Sequence, residues 1–455
     1  MKNMLDLEQK KIGLLMFEFS LPAIIGMLVG ALYNVTSRAF LGKGVGTVAI
    51  AAITIALPMQ TLLWAVMMLV AIGTTSLISI RLGEKKIDEA EKIISSGTTI
   101  LILIPSLLTV IYFLFANQIL TLFGASPEVL PYARSYTDLI MLGSITSSIS
   151  FGMNNFIRAE GNPRIAMATQ IMVSLLNIFF NYIFIFPLGM GIRGSALAVV
   201  VAQSITALFV LAYYLSGRSL VKIRIKYLFP RQRITVGIFA IGFAPFSMQI
   251  AGVIQQTILN QTVRHYGGDL ALSTIGILIS LSALIYMPIM GLGQGAQPIL
   301  GFNYGARAFK RVKRTLKLAI ISGTGIALAS WVIIIVAADP ILRLFSNGDV
   351  ELTKMTSHAM KYYFALIPYL GFQIVSTSYF QATGKPVQAT ILSLSRQVLI
   401  FIPLLLILPH IWGINGVWRA VPISDALACT LTSVLIYFEI KNINYKEKNI
   451  SNHNE

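Results

Sequence analysis

The sequence predicts an all-α membrane protein with twelve transmembrane helices in two pseudo-symmetric six-helix lobes, arranged as a parallel repeat. Three observations carry that expectation. Of 455 residues, 56% are hydrophobic and only 12% charged, about half the charged fraction of an ordinary soluble chain. Apolar runs long enough to cross the hydrocarbon core recur along the chain. Landmarks of the first half also return in the second at a nearly constant offset.

At an offset of 222, Gly73 and Gly83 return as Gly295 and Gly305, and Leu122-Phe123 as Leu344-Phe345. The same offset carries Gly191, Ile192 and Gly194 onto Gly413, Ile414 and Gly416. At 223, Pro22 becomes Pro245, and Ala159, Gly161 and Pro163 of RAEGNP become Ala382, Gly384 and Pro386 of QATGKP. The chain is therefore a tandem duplication.

In the first half, apolar runs fall near residues 14–40, 48–80, 95–116, 136–157, 165–187 and 194–216. They recur near 235–262, 271–302, 316–337, 359–381, 388–408 and 414–438. Six spans per half is an even number, so both halves enter the membrane from one side and are related by an axis along its normal. The expected organisation is an N-lobe over 1–217, a cytoplasmic linker over 218–234, a C-lobe over 235–441 and a cytoplasmic tail over 442–455.

Lys and Arg set the orientation. The two tails, the linker and alternate loops hold 25 of the 35 basic residues, while the opposite side holds eight. By the positive-inside rule both termini of this multi-pass membrane protein are expected to be cytoplasmic. The net charge of +17 is thus a topology signal. It makes no basic face for nucleic acid, which would need clustering on a folded domain.

Other classes lose support in turn. Cys429 is alone, so no internal disulfide or cysteine cluster can form. The four histidines stand at no ligand spacing, and no phosphate-binding G-x-x-x-x-G-K-[ST] loop occurs. No nucleophile–base pair is visible either, which leaves a membrane enzyme or a non-transporting scaffold as the weakest reading.

Polar groups at bilayer depth are costly and point to a pathway. The stretch MPIMGLGQGAQPILGFNYG (287–305) combines glycines for close helix packing with Gln294, Gln297 and Asn303, which need partners in protein or water. Asn34, Ser37 and Arg38 share one helical face, as do Asn177 with Asn181 and Gln256 with Asn260. These amides are expected at a cavity between the lobes. Asp425 and Arg396, both near mid-depth, are natural partners for ion coupling, although a pair that only fixes two helices fits the same residues. Glu18 lies near a helix end, and Glu160 belongs to a tight turn.

With two six-helix halves, the run GQGAQPILGFNYGA, the turns RAEGNP and YFQATGKP and the ending GINGVWRAVPISD, the chain resembles the MATE (multidrug and toxic compound extrusion) transporters, in particular the bacterial multidrug-efflux branch. The resemblance implies two lobes enclosing a central cavity that opens alternately to each side, with export driven by inward proton or sodium flow. It also exposes departures. Ser37 stands where relatives commonly carry an aspartate, and Asn181 replaces the acid that often follows the Asn177 position by four residues. Asp425 fits the PISD pattern and is the only acid left deep in the bundle, which moves the expected coupling to the C-lobe.

The expected function is secondary export of amphipathic organic compounds by antiport, with no cofactor other than proton or sodium as coupling ion. The expected partners are a small amphipathic substrate and membrane lipid, with no nucleic acid, and the protein acts as a monomer. The rival reading is a flippase or exporter of a lipid-linked or anionic amphiphile, whose head group Arg38 and Arg419 would suit.

Overall fold

The computed structural model describes the backbone of residues 2–44, 47–338, 340, 342 and 349–454. Those residues are helical almost throughout, with no strand among them. A short helix, Lys2–Gln9, leads into span 1 (Ile12–Gly44), span 2 (Thr47–Gly83) and span 3 (Ile87–Leu122). Span 4 is made of two pieces, Leu130–Leu142 and Ser144–Ala159, followed by span 5 (Pro163–Ile185) and span 6 (Gly191–Leu215).

After the linker, a continuous helical run of 74 residues, Gln232–Gly305, holds spans 7 and 8. Gly268 divides them, with φ 66° and ψ −160°, a backbone region open essentially to glycine alone. Span 9 is Phe309–Val336. Span 10 joins Val350–Tyr363 to Leu370–Ala382 through a 3₁₀ turn, and span 11 joins Pro386–Leu394 to Phe401–Trp412 through a π turn, Ser395–Leu399. Span 12 is Ile414–Asn454.

Nine helices among the described residues are individually long and apolar enough to cross a membrane. Twelve spans result because spans 7 and 8 share one run, and spans 4 and 10 are each built from two shorter helices. Several helices outrun the apolar windows that announced them. Span 3 begins at Ile87, where Asp88 and Glu89 complement the positive helix start. Span 12 stays helical through residues 442–454, and Lys313 donates to Asn444 (2.9 Å) and Glu447 (2.6 Å) on that extension.

Three apolar clusters organise the interior. One is confined to the N-lobe, from Ala52 to Ala196, and one to the C-lobe, from Leu259 to Ala420. The third is shared: Ile78 and Leu82 of span 2 join Ile238, Ile299, Phe302 and Tyr379 of the C-lobe. The lobes thus have separate cores toward one face and a common core toward the face that carries the termini.

Glycine makes this joint possible. A β-carbon on Gly83 would lie 2.0 Å from the Phe302 carbonyl oxygen, and one on Gly305 would lie 2.1 Å from that of Ile80. At the repeat offset, Gly83 corresponds to Gly305 and Ile80 to Phe302, so these contacts are reciprocal about the pseudo-two-fold axis. Gly73 sits equally close to the Ile238 carbonyl of span 7, and a β-carbon on Gly295 would lie 2.5 Å from the Ser20 α-carbon of span 1. Spans 2 and 8 are therefore the seam of the molecule, closed on the terminal face. Arg311 ties the short first helix to that face by donating to the carbonyls of Leu7 and Lys10, each at 2.9 Å.

Candidate functional site: an N-lobe cavity and a C-lobe ion pair

A cavity of about 390 Å³ opens inside the N-lobe, within the range that takes a drug-sized molecule. Spans 1, 2, 4, 5 and 6 line it, and Met287 of span 8 closes one side. Helical spacing explains which residues arrive there. Gln60, Trp64 and Met67 follow one face of span 2 at intervals of four and three, and Ser147, Ser150, Phe151 and Asn154 follow one face of span 4.

The wall combines amides and hydroxyls with rings. Gln60 Nε2 donates to the Tyr136 hydroxyl at 3.0 Å, while Trp64 meets Phe151 edge-on with centroids 4.7 Å apart. Gln170 and Gln203 also reach the wall. Asn154 forms part of the floor, where its Nδ2 donates to the Ala166 carbonyl at 2.7 Å.

Behind that floor lies Arg158, 7% exposed. Its guanidinium donates to Gln294 Oε1 at 2.8 Å, Asn155 Oδ1 at 3.4 Å and Asn154 Oδ1 at 3.5 Å. Gln294 belongs to span 8, so this bond crosses the seam. A second bond does the same: Gln297 Nε2 donates to Ser76 Oγ at 2.9 Å.

Residues expected at a cavity fall in several places. Ser37 lines the N-lobe cavity and donates to Asn177 Oδ1 at 3.1 Å. Asn181 Nδ2 donates to Asn177 Oδ1 at 2.8 Å and to Ser37 Oγ at 3.3 Å. These three form one buried polar knot between spans 1 and 5. The side chains of Asn34 and Arg38 lie outside the described residues.

In the C-lobe, Gln256 Nε2 donates to Asn260 Oδ1 at 2.8 Å on the outer part of span 7. Arg419 stacks over Trp412 at 4.8 Å and Tyr362 at 5.5 Å. Neither group contributes to the N-lobe cavity.

Arg396 and Asp425 meet. Arg396 Nε donates to Asp425 Oδ1 at 2.6 Å, with the side chains 21% and 10% exposed. The π turn places Arg396 here: Ile400 N–H reaches back five residues to the Ser395 carbonyl, which puts one extra residue in the turn. Such bulges recur at functional positions. Tyr286 of span 8 lies 5.0 Å below the guanidinium, and Ser424 Oγ donates to the Arg396 carbonyl.

Glu18 receives Lys10 at 3.1 Å near the start of span 1. Glu160, in the turn after span 4, is fully buried and accepts from Ser219 Oγ at 2.7 Å and from the Leu220 backbone N–H at 2.9 Å. It thereby anchors the linker to the N-lobe. Sequence reasoning overlooked Gln60, Trp64, Tyr136, Asn154, Gln203 and the burial of Arg158. On span 4 a signal was present in Ser147, Ser150 and Asn154, three and four apart, whereas Gln60 stands alone among apolar neighbours on its face.

The MatE family model matches residues 22–183 and again 246–407. The chain is 27% identical, over 96% of its own length and 95% of the relative's, to "Multidrug export protein MepA" of Staphylococcus haemolyticus. Among solved structures, a ligand complex of the MATE multidrug transporter DinF-BH is 36% identical with a TM-score of 0.87, covering 95% of this chain and 96% of that one. A MATE in complex with MaL6 shares the fold at TM-score 0.92 and 22% identity, covering 97% and 99%. One family model fits each half in register with the internal repeat, and near-full-length relatives share the whole architecture: this chain belongs to the MatE family.

Proposed function

We propose that the protein is a monomeric secondary transporter of the bacterial cytoplasmic membrane that exports small amphipathic organic compounds by alternating access. Both termini lie in the cytoplasm, so the seam of spans 2 and 8 closes the cytoplasmic side. The observation that carries the reading is the drug-sized N-lobe cavity above a seam whose closure rests on glycine–backbone contacts and two amide-based hydrogen bonds. At those glycines backbone meets backbone, and the apolar side chains shared around them, Ile78 and Leu82 with Ile299 and Phe302, are the ones that separate when the two lobes part and pack again when they meet.

Energy enters through the C-lobe. Asp425 is the carboxylate that meets the coupling ion, proton or sodium, and Arg396 is its competitor. An ion shifts a conformational equilibrium only by its differential affinity for the two states. Separation of Arg396 from Asp425 in one state would supply that difference. The test is flux in proteoliposomes under imposed proton or sodium gradients. Accumulation against a substrate gradient supports the reading, and flux that ignores both ion gradients contradicts coupling.

A further inference from the structure

The N-lobe cavity has a charge character that sets what it accepts. Spans 1 to 6 contain only five acids, Glu18, Asp88, Glu89, Glu91 and Asp138, and none of them lines the cavity. Each is already committed. Glu18 holds Lys10, Asp88 holds Lys92, Glu89 holds Arg81 and Glu91 holds Arg224. Asp138 takes the Tyr112 hydroxyl at 2.7 Å and Arg134 at 3.6 Å.

A buried positive charge stands just behind the wall. Arg158 stands behind the floor residue Asn154, and its described hydrogen bonds end on neutral amide oxygens of Asn154, Asn155 and Gln294. Among the described residues no carboxylate lies within ion-pair reach of it. Within a low-dielectric wall a charge of this kind acts over several ångströms. It also draws on the Asn154 carbonyl oxygen, while that amide's nitrogen is spent on the Ala166 carbonyl and the Thr169 hydroxyl. The remaining wall offers uncharged amides at Gln60, Gln170 and Gln203 and the rings of Trp64 and Phe151.

We infer that this cavity selects aromatic amphiphiles whose polar part is uncharged or anionic, and that it disfavours lipophilic cations. A cation entering it would shed water without meeting a carboxylate, whereas an acceptor oxygen would meet amide donors in a positive field. The inference rests on the export reading in assigning substrate to this cavity.

The experiment uses the full-length protein in lipid nanodiscs and three xanthene dyes of one ring system: a cationic ester, a zwitterion and a fluorescein-type anion. Binding is read by fluorescence polarisation. The anion and zwitterion are expected to bind at least about tenfold more tightly than the cationic ester. Gln203→Glu, a near-isosteric change on the cavity wall, should reverse that order. Arg158→Gln should erase the preference for the anion while leaving the zwitterion bound. Equal binding of all three dyes, or a preference for the cation in the unmodified protein, overturns the inference and leaves export standing. A cation preference unchanged by Gln203→Glu also places substrate elsewhere. Failure of every dye to bind removes the export reading together with the inference.

Discussion

Glu160 was legible from the sequence as a turn residue, but its burial was not, because that depends on the linker folding back over it. Ser219 and Leu220 satisfy one carboxyl oxygen, while Oε1 has no partner among the described residues. Burial pushes this carboxyl from its ordinary 4.5 up to about 7, against hydrogen bonds that pull it down. A group with a raised folded pKa contributes stability that is fully present below its unfolded value and is lost as pH rises through the folded one. Thermal unfolding in detergent should therefore show the midpoint falling between about pH 5 and pH 8. Glu160→Gln, which keeps the shape and removes the titration, should flatten that fall; equal slopes in both proteins contradict the assignment. Ser37, Asn177 and Asn181 were legible as polar residues on two helical faces expected at a cavity, while their joining in a single knot depends on how spans 1 and 5 pack.

Among the elements, the apolar windows located the spans but not their ends. Span 3 and span 12 extend past the windows because their outer turns are held by charged partners and not by hydrophobicity. The breaks in spans 4 and 10, and the π turn in span 11, leave no apolar signature, since they depend on how neighbouring helices pack. Gly268 is the break with the plainest backbone cause. A β-carbon there meets nothing within 4 Å, so Gly268→Ala isolates the conformational penalty, about 1–3 kcal/mol. A lowered unfolding midpoint is expected, with Gly276→Ala as a helical control that also meets nothing within 4 Å. If the two variants melt alike, the turn between spans 7 and 8 does not need glycine.

The seam is a property of two elements together. At Gly305 the obstructing atom is a backbone oxygen of Ile80, which cannot swing aside as a side chain can. Gly305→Val should push spans 2 and 8 apart on the terminal face. Spin labels on cysteines replacing the exposed Lys86 and Lys310, in a Cys429→Ala background, should report a longer distance in this variant. An unchanged distance distribution would mean that the seam closes without this contact.

Across the whole molecule, the duplication was readable because glycines and prolines mark backbone constraints that both halves share. The reciprocal contacts of Gly83 with Phe302 and of Gly305 with Ile80 are its physical expression. The division of labour between the halves was only partly readable. Asp425 and Arg396 stood out as charges at bilayer depth, and they are paired. The cavity wall did not stand out, because Gln60, Gln203 and Asn154 are ordinary amides until six helices bring them around one space. Gln256 and Asn260 share a helical face, as their spacing implied, and neither lines the N-lobe cavity. Spacing along one helix fixes which residues stand together, and packing among helices fixes what they face.

The central claim is that substrate is held in the N-lobe while the C-lobe pair couples transport to an ion. Proteoliposomes containing Asp425→Asn, loaded with the dye that binds most tightly, test it most directly by comparing gradient-driven flux with dye exchange at equal concentrations. Loss of gradient-driven flux under both proton and sodium gradients, with exchange and binding retained, is the predicted result. Gradient-driven flux equal to that of the unmodified protein would show that coupling does not pass through Asp425.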